Sequence, residues 1–186
     1  MAASKTERGK SDALPSGRRG TPTMKKVIIL LTRYSDRISS FVYHIAGHGY
    51  THASLGLEDE PGTYYSFNYK GFCTETLEKH RRRGVENSMS CELEISDEAY
   101  QNIRDSIAQF KARKADLRYT RLGVACCLLH LPLHWKNHYF CSQFVAELLQ
   151  DSGAVELDRC AALYLPNHFC TELPQNCHCR LQLNPV

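Results

Sequence analysis

The stretch "THASLGLEDEPGTYYSFNY", residues 51–69, decides the reading of this chain. Its first part alternates: Ala53, Leu55 and Leu57 fall on one side, His52, Ser54 and Gly56 on the other. "EDEPG" (58–62) has turn chemistry, and "TYYSFNY" (63–69) alternates again, with Tyr65, Phe67 and Tyr69 opposite Tyr64, Ser66 and Asn68. Two period-2 runs around a Pro-Gly turn predict a β-hairpin. Counting back from the turn, residue i pairs with about 120 − i, which sets Asn68 opposite His52 and Ser66 diagonal to it.

Elements of both kinds flank this hairpin. Upstream, "VIILL" (27–31) is short, apolar and β-branched, as a buried strand requires. Between them, "SDRISSFVYHIAGHG" (35–49) starts on capping residues, ends in glycine and repeats Ile38, Val42 and Ile45 at helical spacing, so a helix is expected. Downstream, "CELEI" (91–95) reads as a strand. "SDEAYQNIRDSIAQFKAR" (96–113) reads as a helix capped by Ser96, with Asp97 and Glu98 at its positive end and an apolar stripe of Tyr100, Ile103, Ile107 and Phe110. Residues 122–131 are apolar and predict a buried helix. Residues 142–151 predict a helix with Phe144, Val145, Leu148 and Leu149 inward, stopped by Gly153. "RLQL" (180–183) is a candidate for closing the sheet. The order of elements predicts an α+β domain with an antiparallel sheet packed on helices, over residues 24–186.

Composition narrows the function classes. With 42% hydrophobic and 23% charged residues in 186, neither wholesale disorder nor a membrane protein is suggested. Residues 1–23 carry Lys5, Arg8, Lys10, Arg18 and Arg19 against Glu7 and Asp12, which is the whole net charge of +3. They hold almost no apolar side chains, and a disordered basic tail is expected. The remaining body is formally neutral and offers no electrostatic case for nucleic acid. The apolar run at 27–31 is too short for a signal peptide core and has no cleavage site after it; no integral membrane segment is expected. Nine cysteines, an odd number without a secretory signal, argue against a disulfide framework and for a reducing, cytoplasmic setting. Most of them, Cys126 and Cys127 in "VACCLL" for example, read as small buried hydrophobes.

Cys141 is different. In "KNHYFCSQFVAELLQDSG" (136–153) it sits at a helix start, where unpaired N–H groups and the helix dipole favour a thiolate and can hold an oxyanion. Such a thiol becomes a nucleophile when a histidine reaches it. His52, on the polar side of a rigid hairpin, is the candidate base, with Ser66 or Asn68 to orient its ring.

Three segments, "YTHASLGL", "YYSFNYKGF" and "HYFCSQFVAELL", resemble in this order the circularly permuted papain-like hydrolases, the branch of the NlpC superfamily that includes YiiX-type amidases. The likeness covers roughly residues 24–170. It implies a permuted papain-like fold with the histidine strand first and the cysteine helix last. His52 would then be the base and Cys141 the nucleophile. It implies a peptide, amide or acyl-lipid substrate and no metal or organic cofactor. In that family the third member is a polar residue on the next strand, often Glu or His; here that strand offers Ser66 and Asn68. The departure keeps a second reading open, a non-catalytic binding module on the same fold.

Two further clusters carry weaker signals. "HFCTELPQNCHC" gathers His168, Cys170, Cys177, His178 and Cys179, but a single C-x-C without a partner pair is a poor zinc pattern. The basic run from Lys79 to Arg83 reads as a solvated loop or strand edge, with an anionic-substrate role as the alternative.

Overall fold

In a computed structural model of the chain, residues 24–34, 49–85, 87–176 and 179–186 are described. The basic tail and nearly all of the helix expected at 35–49 lie outside them.

Apolar β-branched residues build the centre of the sheet. β1 (Met24–Arg33) pairs on one side with β2 (His52–Leu57) and on the other with β5 (Asn87–Ser96), both antiparallel. Being central, β1 has both edges hydrogen-bonded, and Val27, Ile29, Leu30 and Leu31 are all fully buried. β2 continues into β3 (Tyr64–Asn68) in the register the turn dictates, Leu55 opposite Tyr65 and Gly56 opposite Tyr64. β4 (Gly71–Glu75) extends the sheet through a tight turn at Tyr69 and Lys70, and β8 (Cys179–Leu183) closes the other edge on β5. The order is β4-β3-β2-β1-β5-β8. The hairpin alternates as expected, but its polar side is not solvated: His52, Ser54 and Ser66 are buried along with the apolar side.

Helices cover the apolar face. α1 (Leu77–Arg82) follows β4 directly, capped by Thr76, whose hydroxyl accepts from the Lys79 N–H. α2 (Asp97–Ala112) has its Ser96 cap as expected, with the hydroxyl accepting from the Ala99 N–H at 3.1 Å. α3 (Arg121–Leu128) is capped by Thr120; α4 is Cys141–Asp151 and α5 Pro166–Asn176. α4 lies on β2 and β3. An aromatic cluster locks this layer: Phe67 and Phe72 of the sheet meet Phe110 of α2, Phe144 of α4 and Tyr139, with ring centroids 5.0–6.0 Å apart. Tyr139 belongs to a short parallel pair, β6 (Arg118–Tyr119) with β7 (His138–Tyr139), which delivers the chain to the start of α4. The architecture is α+β with an antiparallel sheet packed on helices.

Three expectations are corrected. The apolar run 122–131 is not a buried helix: α3 ends at Leu128, and Leu122 and Leu129 are 57% and 69% exposed. The basic run at Lys79–Arg83 is mostly helical, α1 with its C-cap, and His80 within it is fully buried. Cys91 and Cys179 form a disulfide across β5 and β8, so one pair of the described cysteines is bonded. Among the described residues, no helix is long and apolar enough to cross a membrane.

Candidate active site

α4 begins on the nucleophile candidate itself. Phe140, the N-cap, is extended and offers no side-chain oxygen, and the first turn has no acidic residue. No capping side chain therefore competes for the N-terminal N–H groups, which face the Cys141 thiol and can hold an anion. The thiol of Cys141 lies beside the backbone N–H groups of Ala53 and Ser142 and within hydrogen-bond reach of His52. Residues 89 positions apart in sequence thus meet because α4 packs its first turn on the start of β2.

His52 Nε2 is 2.7 Å from Glu75 Oε2, the last residue of β4. Both groups are buried, Glu75 almost completely. An ionised carboxylate can only accept, so Nε2 carries the proton and Nδ1 is the nitrogen left for the thiol. Behind the carboxylate stand two residues of the basic run: His80 Nε2 is 3.7 Å from Glu75 Oε2, and Arg83 Nη1 is 3.6 Å from Oε1. His80 Nδ1 and the Tyr34 hydroxyl are hydrogen-bonded at 2.5 Å.

The charges follow from this packing. Burial works against an ionised Glu75, but the charge of His52 and its hydrogen bond outweigh it and hold the carboxyl at about 2. Burial likewise opposes a charged His52; Glu75 first and Cys141 second overcome it and lift the ring to about 10. For Cys141, burial pushes the thiol up. The facing imidazolium, its hydrogen bond and the Ala53 and Ser142 N–H groups pull it below its ordinary value. The packing thus favours a thiolate facing an imidazolium, with a carboxylate behind it. Cys73, Cys127 and Cys170 are pushed the opposite way, chiefly by burial, to about 12, 12 and 11. His80 is held neutral, lowered to about 4 by burial.

The two residues expected to orient His52 do other things. Ser66 donates its hydroxyl to the Ala53 carbonyl at 2.6 Å, bracing the strand next to His52. Asn68 donates to Cys73 Sγ and accepts from the Lys70 N–H, forming part of the β3–β4 turn. Neither meets the ring; Glu75 takes that place. The sequence pattern does not mark its strand, because "GFCTE" is short and carries little alternation. The available signal was Gly71 closing a tight turn after Asn68, which marks a third strand. Glu75 then sits just before the Thr76 cap of α1.

Among the described residues, no group of three His, Cys, Asp or Glu side chains is arranged to hold a metal ion. Of the C-terminal candidates, Cys179 is bonded to Cys91, while Cys177 and His178 lie outside the described residues. No protein-family model matches this chain, and no curated protein matches it.

Proposed function

We propose that the protein is a cysteine hydrolase of the permuted papain-like kind, cleaving an amide, in a peptide or isopeptide, or an acyl ester. The observation that carries this reading is the chain of contacts Cys141–His52–Glu75 at an uncapped helix N-terminus. The Cys141 thiolate attacks the carbonyl carbon, and the developing oxyanion is held by N–H groups at the start of α4. His52 gives its proton to the leaving amine or alcohol as the tetrahedral adduct collapses to a thioester. Glu75 keeps the ring in the required tautomer and stabilises its charge. A water deprotonated by His52 then releases the acid; another nucleophile in its place gives acyl transfer. None of these steps calls for a metal or organic cofactor.

The non-catalytic module drew its support from the lack of an orienting residue, a lack that Glu75 supplies. A reducing, cytoplasmic location goes with the six free cysteines among the described residues; the Cys91–Cys179 bond stands against it.

The test is site-resolved labelling with iodoacetamide at neutral pH. Cys141 should react much faster than the other thiols. Cys141→Ser should remove the fast phase with the fold intact, and His52→Ala should slow it at neutral pH but less at high pH, where the thiol ionises unaided. If Cys141 labels no faster than Cys126 or Cys160 in folded protein, the hydrolase reading fails and the binding module replaces it.

A further inference from the structure

α3 is apolar on both sides, and one side is uncovered. Inward, Gly123 and Cys127 seat the helix against the nucleophile's own segment. A Cβ on Gly123 would lie 2.6 Å from Thr120 Cγ2 and 3.3 Å from the ring of Phe140, the residue before Cys141. Outward, Leu122, Ala125, Cys126 and Leu129 follow one another at i, i+3, i+4 and i+7, a single helical face. Leu122 is 57% and Leu129 69% exposed, and the exposed series runs on through Leu131 at 57% and Trp135 at 52%. The Leu131 N–H bonds back to the Cys126 carbonyl, which folds the loop onto the end of the helix. An ordinary surface helix turns charge to the solvent; this one turns leucine.

Within the segment itself the formal charge has one sign. Between Asp116 and Glu147 the chain holds no acidic residue, while exposed Arg118, Arg121 and Lys136 flank the apolar stretch and His130 and His134 lie within it. Acids reach its far end from α4: Glu147 Oε1 lies 4.0 Å from His134 Nδ1, and Glu147 and Asp151 line the cleft that Trp135 and Lys136 also line. Glu147 there accepts from Gln143 Nε2 at 2.9 Å.

We propose that the outer face of α3 and the loop through Trp135 dock on an anionic lipid bilayer, and that the acyl bond presented to Cys141 is that of a lipid. The second half rests on the hydrolase reading; the docking does not. Exposed leucines with a tryptophan supply the part that enters the headgroup–acyl boundary, and arginine and lysine at the margins supply attraction to anionic headgroups. A groove on a partner protein would account for the leucines but not for the exclusion of acids from the whole segment. The docked face is the back of the helix whose front packs on Phe140, the residue before Cys141, so the thickness of one helix, about 10 Å, separates a bound bilayer from the nucleophile's segment.

Trp135 is the single tryptophan in the chain, so its emission reports on this surface alone. Full-length protein is titrated with vesicles of phosphatidylcholine and with vesicles containing phosphatidylserine. The expected result is a blue shift with the anionic vesicles, quenching by lipids brominated in the acyl chain, and weakening as salt is raised. The double variant L129E/L131E, altered only at exposed positions, should keep its melting temperature and lose affinity by about tenfold or more. Wild type, but not Cys141→Ser, should release fatty acid from the bound vesicles. No shift with anionic vesicles, or a shift that L129E/L131E leaves intact, overturns the docking. So does a dimer, formed without lipid and broken by L129E/L131E, because the face would then be covered by a second copy. Vesicle binding with fast Cys141 labelling but no fatty acid release removes the lipid substrate alone. Vesicle binding without fast labelling removes the hydrolase reading instead.

Discussion

The proposed chemistry turns on Glu75. A histidine facing a thiol is a weak pair without a group that fixes its tautomer, and Glu75 does this at 2.7 Å from inside the fold. Glu75→Gln keeps the shape and removes the charge that raises His52. We expect Cys141 labelling at neutral pH to slow by about tenfold or more, recovering at alkaline pH. Ser66→Ala and Asn68→Ala should change that rate little, since their side chains bond to Ala53 and to the β3–β4 turn. A loss in either as large as that of Glu75→Gln would restore it as the orienting residue. The same carboxylate sets a pH dependence of stability. Its folded value, about 2, lies below its ordinary 4.5, so its contribution is present above 4.5 and is lost as pH falls towards 2. His52 acts in the opposite sense: raised from 6.5 to about 10, it contributes fully below 6.5, and that contribution is lost as pH rises through 10. A melting profile against pH should therefore fall at both ends. Glu75→Gln should flatten the acid limb, and parallel acid limbs in the two proteins would show that the carboxylate is not the group responsible.

Among the elements, β4 has the largest effect for its size. Five residues, Gly71–Glu75, add an edge to the sheet, contribute Phe72 to the aromatic cluster and end on Glu75. Its first residue has no substitute. Gly71 has φ +96°, and a Cβ there would lie 2.6 Å from the Leu117 carbonyl oxygen. Gly71→Ala meets both backbone strain and a backbone clash, and we expect it to cost about 2 kcal/mol or more by denaturant unfolding. Because β4 also positions Glu75, the variant should slow Cys141 labelling in the protein that remains folded. An unchanged melting temperature would mean that β4 is not held against Leu117 as described. α3 shows the reverse: a run as apolar as a core helix lies on the surface, because its small residues, Gly123 and Cys127, face inward and its leucines face out.

For the molecule as a whole, the far edge of the sheet is tied by Cys91–Cys179, which closes a separation of 88 residues. Loop closure of that length constrains the unfolded chain, and Cys179→Ser should lower stability by about 2–4 kcal/mol. Intact mass of the unreduced protein, two hydrogens lighter than the reduced form, checks the bond directly. Equal melting with and without reductant would show that the thiols are free in solution. That edge is remote from Glu75, which sits at the opposite end of the strand order, so reduction should leave Cys141 labelling unchanged.

What the sequence determined by itself was local. Period-2 alternation and a Pro-Gly turn established the β2–β3 hairpin and its register, serine and acidic residues established the start of α2, and the position of Cys141 at a helix start was plain from the pattern around it. These depend on neighbours within a few residues. The β4 strand was legible only as a glycine after a turn, and its carboxylate not at all. Which side chain reaches His52 depends on how the sheet coils. In a flat ladder Glu75 stands two strands from β2 and opposite Tyr64, whose partner in β2 is Gly56, well away from His52. Their 2.7 Å contact therefore runs diagonally across β3 and is set by the three-dimensional shape of the sheet, which ladder pairing alone does not specify. The outward leucines of α3 and the burial of His80 in a basic run have the same origin. Alternation and charge runs say which residues share a face, and tertiary packing alone decides which face is covered.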